Sequence, residues 1–191
     1  MDTPLKVKVA GEAWEFDQIH ALNYRTFVEE IPRYRPKEPG RLVDRFHDEN
    51  TYVIGLRGER LVGMVAVRDR RPFALDERVS DLDAFLPAER STCELRLLAV
   101  EPAERRSDLL PALLDGTWHY CRSRGFDMAV ISGLTGQLRL YRHLGFLPFG
   151  PLVGPPGAQF QPMLLTLERF LSLHGRLNSL NLFANETLGD V

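Results

Sequence analysis

The residues equipped to act on a substrate gather in the second half of the chain. Glu94 and Arg96 stand two apart in the apolar run 93–100, and side chains two apart on an extended strand share a face. A carboxylate so placed can serve as a base; the plainer alternative is an ion pair at a strand end, worth under about 1 kcal/mol if exposed. Tyr141 lies four residues before Gly145-Phe146. A phenol, with a reference pKa of about 10, suits proton donation to a leaving group of similar basicity; it is equally a half-buried tyrosine bonded to a backbone carbonyl. The run Arg105-Arg106-Ser107-Asp108-Leu109-Leu110 opens an apolar-striped helix, and a helix start is where backbone N–H groups collect anions. The same arginines fit a solvated turn. Ser132 sits at a strand-to-helix turn as a secondary candidate. His20, His47, His119, His143 and His174 show no metal-ligand spacing and read as surface or packing residues.

These side chains need a scaffold, and hydrophobic period supplies its outline. Residues 6–9 alternate as Lys-Val-Lys-Val, a half-buried strand. Residues 14–31 carry apolar positions at near-helical spacing, stopped by Pro32, because the residue before proline avoids the helical region. Residues 33–41 form a basic loop with two prolines. Two β-branched runs, 51–56 and 61–67, flank Arg57-Gly58-Glu59-Arg60, a hairpin signal. Residues 70–92 are irregular and acidic, a loop or short helix over one face. Then follow the strand 93–100, a helix, a strand over 126–134 and a short helix. Residues 148–157 hold four prolines and three glycines, a loop. A last strand over 160–167 precedes a C-terminal helix from about 168. The order β-α-β-β-β-α-β-α-β predicts an α/β (α+β) fold with a mixed sheet covered by helices.

The segment 94–146 resembles the core of the GNAT superfamily, the acyl-CoA-dependent N-acyltransferases. The match rests on Val100 and Pro102 after a strand, Arg105 three further on, Leu113-Leu114 inside the helix, and Tyr141 ahead of Gly145-Phe146. It covers about residues 5–168, which predicts one domain with a C-terminal helix and tail over 168–191. The resemblance implies a mostly antiparallel sheet whose strands 93–100 and 127–132 splay into a V-shaped cleft. It implies that backbone groups of Leu98, Ala99 and Val100 pair with the pantetheine arm of a thioester, and that Tyr141 protonates the departing thiolate. Glu94-Leu95-Arg96 ahead of Leu98-Ala99-Val100 is similar to the strand of the acyl-homoserine-lactone and N-acyl amino acid synthases. That likeness puts Glu94 and Arg96 near the acceptor, with Glu94 taking a proton from the amine, and Ser132 near the substrates.

One element departs from the family pattern. Arg-x-x-Gly-x-Gly/Ala would open the helix, whereas Asp108 and Leu110 replace the small residues here. With Asp108 as N-cap and Pro111 in the first turn, the carboxylate is expected to occupy the free amides and oppose a pyrophosphate. Arg105 and Arg106 would offset it. The resemblance thus implies acetyl-CoA or a longer acyl-CoA as co-substrate, with no metal. Acyl carrier protein is an open alternative donor, and Arg33, Arg35, Lys37 and Arg41 could meet its acidic surface. The acceptor is a small amine or amino acid. The rival reading is a non-catalytic acyl-CoA-binding or regulatory module, supported by the altered loop.

Composition narrows the field. With 191 residues, 24 Lys+Arg, 26 Asp+Glu and a net charge of -2, the chain is no general nucleic-acid binder. No apolar run approaches the roughly 18 residues of a membrane span, and residues 1–16 lack the apolar core of a signal peptide. A cytoplasmic monomer or homodimer is expected. Cys93 and Cys121 lie in apolar runs and read as buried free thiols.

Overall fold

The computed structural model describes residues 3–32, 34–35, 38–156 and 158–174. Seven strands form one sheet in the order β1-β2-β3-β4-β5-β7-β6. They are β1 Leu5–Val9, β2 Asn50–Arg57, β3 Arg60–Arg68, β4 Thr92–Val100, β5 Met128–Leu134, β6 Leu147–Pro148 and β7 Phe160–Thr166. All pairings are antiparallel except β4 with β5. The helices are α1 Ala13–Tyr24, α2 Leu109–Ser123, α3 Leu138–His143 and α4 Leu167–His174. The fold is the mixed, mostly antiparallel α/β arrangement expected. Arg33, Lys37 and the tail from 175 lie outside the described residues.

Strand alternation sends neighbouring side chains to opposite faces, one packed chiefly by α2 and the other, over β2 and β3, by α1. Val53, Val62, Val65 and Val67 pack with Leu109, Leu113, Trp118 and Cys121 of α2. Ile54, Leu61, Met64 and Ala66 pack on the other face with Ile19 and Leu22 of α1. Fully burying each such Leu, Ile or Val contributes about 1.5–3 kcal/mol. Gly55 and Gly63 let α2 lie close to the sheet. A Cβ at Gly63 would stand 2.9 Å from Leu113 Cδ1 and 3.2 Å from the Ala99 carbonyl oxygen. Cys93 and Cys121 are buried free thiols, their sulfurs 3.7 Å apart.

Three local features differ from the sequence reading. The helix predicted over 14–31 changes pitch: α1 ends at Tyr24 and Arg25–Glu30 continues as a π-helical turn. The expected loop 148–157 is pinned to β7, through β6 and through the bridge Val153↔Phe160. Asp108 stands at the N-cap of α2 as expected, but its side chain makes no capping hydrogen bond. Its carboxylate is 74% exposed and turned to Arg57 Nη2 at 3.1 Å. The Leu109 amide donates instead to Ser107 Oγ at 3.1 Å. The cause is a cation 51 residues away in sequence, on β2, which outcompetes a neutral amide for the carboxylate.

Candidate active site

β4 and β5 pair as parallel strands only at Thr92↔Met128, Cys93↔Ala129 and Glu94↔Val130. From Leu95 onward they part, and a cleft of about 1340 Å³ opens between them. On its other edge β4 stays bonded to β3, but the register shifts between Met64↔Ala99 and Ala66↔Arg96. Leu97 and Leu98 thus oppose Val65 alone, a β-bulge, and Leu97 is left-handed at φ +51. A leucine there is strained by about 1–3 kcal/mol, a cost that tends to be kept at functional sites.

Glu94 stands where the strands part and is 1% exposed. Its two oxygens accept from the amides of Ala74 at 2.7 Å and Leu75 at 3.1 Å. Burial pushes its carboxyl above the ordinary value, opposed by Arg96 and by those two amides. The plain surface ion pair is thereby excluded. Arg96 Nη1 is 3.6 Å from Glu94, but its closer partner is Asp44 Oδ1 at 2.8 Å. Asp44 is itself held by Asn50 Nδ2 at 2.7 Å, and Arg96 lies 4.8 Å from the Phe46 ring centre. Nothing in the sequence joined Asp44 to Arg96.

Tyr141 comes to the same cleft from α3, on the β5 side, and its hydroxyl donates to Gln137 Oε1 at 3.2 Å. Gly133 on β5 makes room for it: a Cβ there would stand 3.1 Å from Tyr141 Cδ2. Ser132, Leu98, Val100, Arg105 and Leu110 also line the cleft. Ala99 turns its side chain into the α1-side core. Leu109, the first residue of α2, is buried against Gly55 and Gly63, and Ser107 Oγ accepts from its amide. Arg106 is exposed outside the cleft. Arg105 pairs with Glu30 and reaches the Val100 carbonyl at 3.4 Å.

Sequence reasoning missed the far wall. Asn23, Thr26 and Phe27 line the cleft from α1 and its π-helical extension, and Arg78 lines it while lying 4.5 Å over the Phe160 ring. Among the described residues, Asn23 Nδ2 and Oδ1, Arg96 Nε and Ser132 Oγ are buried without a hydrogen-bond partner. Such groups cost free energy unless something satisfies them, and all three residues face one cavity. No group of three or more His, Cys, Asp and Glu among the described residues is placed to hold a metal ion.

The arrangement offers a buried carboxylate on one strand, a phenol across the gap and an unpaired strand edge between them. A family model described as N-acyl amino acid synthase FeeM matches residues 18–168. The chain belongs to this family. It is an N-acyltransferase, so the buried carboxylate and the phenol stand in an enzyme's cleft. Solved structures similar to it include a CoA-dependent acyl-homoserine lactone synthase, BjaI, with MTA: 21% identity, 91% of this chain and 90% of that one, TM-score 0.75. FeeM, an N-acyl amino acid synthase from uncultured soil microbes, shares 17% identity over 89% of this chain and 94% of its own, TM-score 0.69. The acyl-homoserine lactone synthase LasI shares 14% over 91% and 96%, TM-score 0.71. At these identities the likeness establishes the fold. No curated protein matches the sequence.

Proposed function

We propose that this enzyme joins a medium- or long-chain acyl group, carried as a pantetheine thioester, to the amine of an amino acid. The observation that carries the reading is the parting of β4 from β5 after Glu94. It leaves a strand edge for the amide-bearing arm and an apolar wall for the chain. Leu95, Leu98, Leu110, Leu114, Ile131 and Leu140 supply that wall. At about 1340 Å³ the cleft exceeds the roughly 300–1,000 Å³ of ordinary small-ligand pockets, far more than an acetyl group fills. In this reading Glu94 takes the amine proton, directly or through water, as the nitrogen attacks the thioester carbon. The carbon–sulfur bond breaks, and Tyr141 gives the thiolate its proton. Arg96 and Arg78 provide cations for a carboxylate on the acceptor. Arg105, at the cleft mouth, meets the carrier end of the donor, either coenzyme A or a carrier protein.

The test is amide formation, followed by mass spectrometry, with C2 to C14 acyl-CoAs and the matching acyl carrier proteins against the twenty amino acids. A buried methylene is worth about 0.8 kcal/mol. The specificity constant should therefore rise about fourfold per methylene until the cleft is full. Equal rates with acetyl and dodecanoyl donors would refute the chain reading. Acylation of simple amines but of no amino acid would refute the acceptor.

A further inference from the structure

We infer that Asn23 is a catalytic residue, its carboxamide binding the tetrahedral intermediate of acyl transfer. Asn23 is 0% exposed, and neither of its polar side-chain atoms has a partner among the described residues, though it lines the cleft. A buried amide left so is costly, by roughly 1–3 kcal/mol. An asparagine with only a packing role would be replaced by leucine at a gain.

Its place fits that task. Ile19 and Phe27 lie one helical turn on either side of Asn23 and so share its face. Both belong to the cluster against which Leu97, the left-handed residue of the bulge, packs. Asn23 therefore looks onto the stretch of β4 that β5 has abandoned. On the proposed function, the reacting carbon must be reachable from Glu94 at one end of that stretch and from Tyr141 across the gap, in the cleft that Asn23 also lines.

The chemistry uses both orphaned atoms. When the amine nitrogen attacks, the carbonyl π electrons move onto oxygen. The reacting carbon then carries an oxyanion and, beside it, a nitrogen still bearing protons. Asn23 Nδ2–H donates to the oxyanion, and Oδ1 accepts an N–H from the attacking nitrogen. Two atoms on one carbon of the protein thus face two atoms on one carbon of the intermediate. Collapse restores the carbonyl, breaks the carbon–sulfur bond and releases amide and thiol. The donor strengthens its bond only as charge develops, so it accelerates the step rather than merely binding the substrate.

The inference rests on the proposed donor, and the experiment separates the two. The probe is S-dodecanoyl pantetheine labelled with carbon-13 at the carbonyl, the part shared by both carriers. Its affinity is measured by calorimetry and its carbonyl stretch by infrared difference spectroscopy, for wild type, Asn23→Leu and Asn23→Ala. Wild type should bind and lower the stretching frequency. The variants should bind equally, lose much of that shift, melt no lower than wild type, and turn over about 10²-fold more slowly at unchanged KM for the acceptor. The same carbonyl frequency in wild type and variants, or a KM effect without a kcat effect, overturns the assignment. So does a lower melting temperature in both variants, which would mean the amide is structurally satisfied. If wild type fails to bind the probe, the donor reading falls and this inference falls with it.

Discussion

In the proposed mechanism Glu94 and Tyr141 divide two proton transfers between two environments. Burial raises the Glu94 carboxyl above its ordinary value, which makes the carboxylate a stronger base while leaving it ionised only above that raised value. The pH profile of kcat/KM should therefore show an acid limb at a higher pH than an ordinary glutamate gives. Glu94→Gln should abolish that limb and lower the rate by about 10²-fold. Tyr141→Phe should keep the acid limb and lose a similar factor in kcat, with donor affinity unchanged, because in the proposed mechanism the phenol acts only on the leaving sulfur. An acid limb that survives in Glu94→Gln would assign the base elsewhere. That both residues would line one cleft was legible in the sequence, through a strand's two-residue period and a tyrosine set before Gly-Phe. Asn23 was not, because a lone asparagine on an amphipathic helix reads as part of its wet side; only three-dimensional packing shows that it is dry and unpartnered. Asp108 misled for the converse reason: it has the residue type of a cap, while Arg57 reaches it from a distant strand.

At the scale of elements, two devices lie behind the cleft wall formed by β4 and α2. The bulge at Leu97-Leu98 tilts the end of β4, and close packing at Gly63 seats α2 beneath it. A side chain at Gly63 would press on two leucine ends that can yield and on the Ala99 carbonyl, which is fixed in the strand. Gly63→Ala should lower stability by about 1–3 kcal/mol. It should also weaken donor binding, since α2 carries Leu110 and Leu114 of the acyl wall. Urea unfolding and calorimetry with S-dodecanoyl pantetheine give the two numbers. Unchanged affinity in a destabilised variant would mean that the helix position does not govern the site. The helices and strands themselves were largely readable from hydrophobic period. The bulge was not, because Leu95 to Leu98 is an unbroken apolar run apart from Arg96 and carries no glycine to announce a left-handed residue. Nor was the change of pitch at Arg25, where the apolar spacing continues across the junction.

For the molecule as a whole, one buried histidine makes a testable mark. His20 is held down to about 4 from 6.5, chiefly by burial and then by the neighbouring His47; the two ring nitrogens are 3.4 Å apart. The unfolded chain takes up this proton below pH 6.5 and the folded one not until about pH 4. Stability from this group is thus complete above pH 6.5 and falls as pH drops through that window, by about 3 kcal/mol in all. Paired carboxylates such as Glu15 have values lowered from 4.5 and add their own losses only at more acid pH. Melting temperature should decline between pH 6.5 and 5 in wild type and decline less in His20→Gln; parallel curves would exonerate the histidine. The mostly antiparallel sheet was expected through family likeness, whereas sequence pattern alone gave only a mixed sheet.

The sheet's single parallel junction has a consequence for how the protein holds together. Four strands lie on one side of it and three on the other, and three residue pairs tie the two halves. If the pantetheine arm lies along the free edge of β4, the substrate is in effect an eighth strand lent from outside. Cohesion across the sheet then becomes a property of turnover. On that arrangement the sheet would be loosest between catalytic cycles, tighten as each donor docks, and slacken again when the thiol departs.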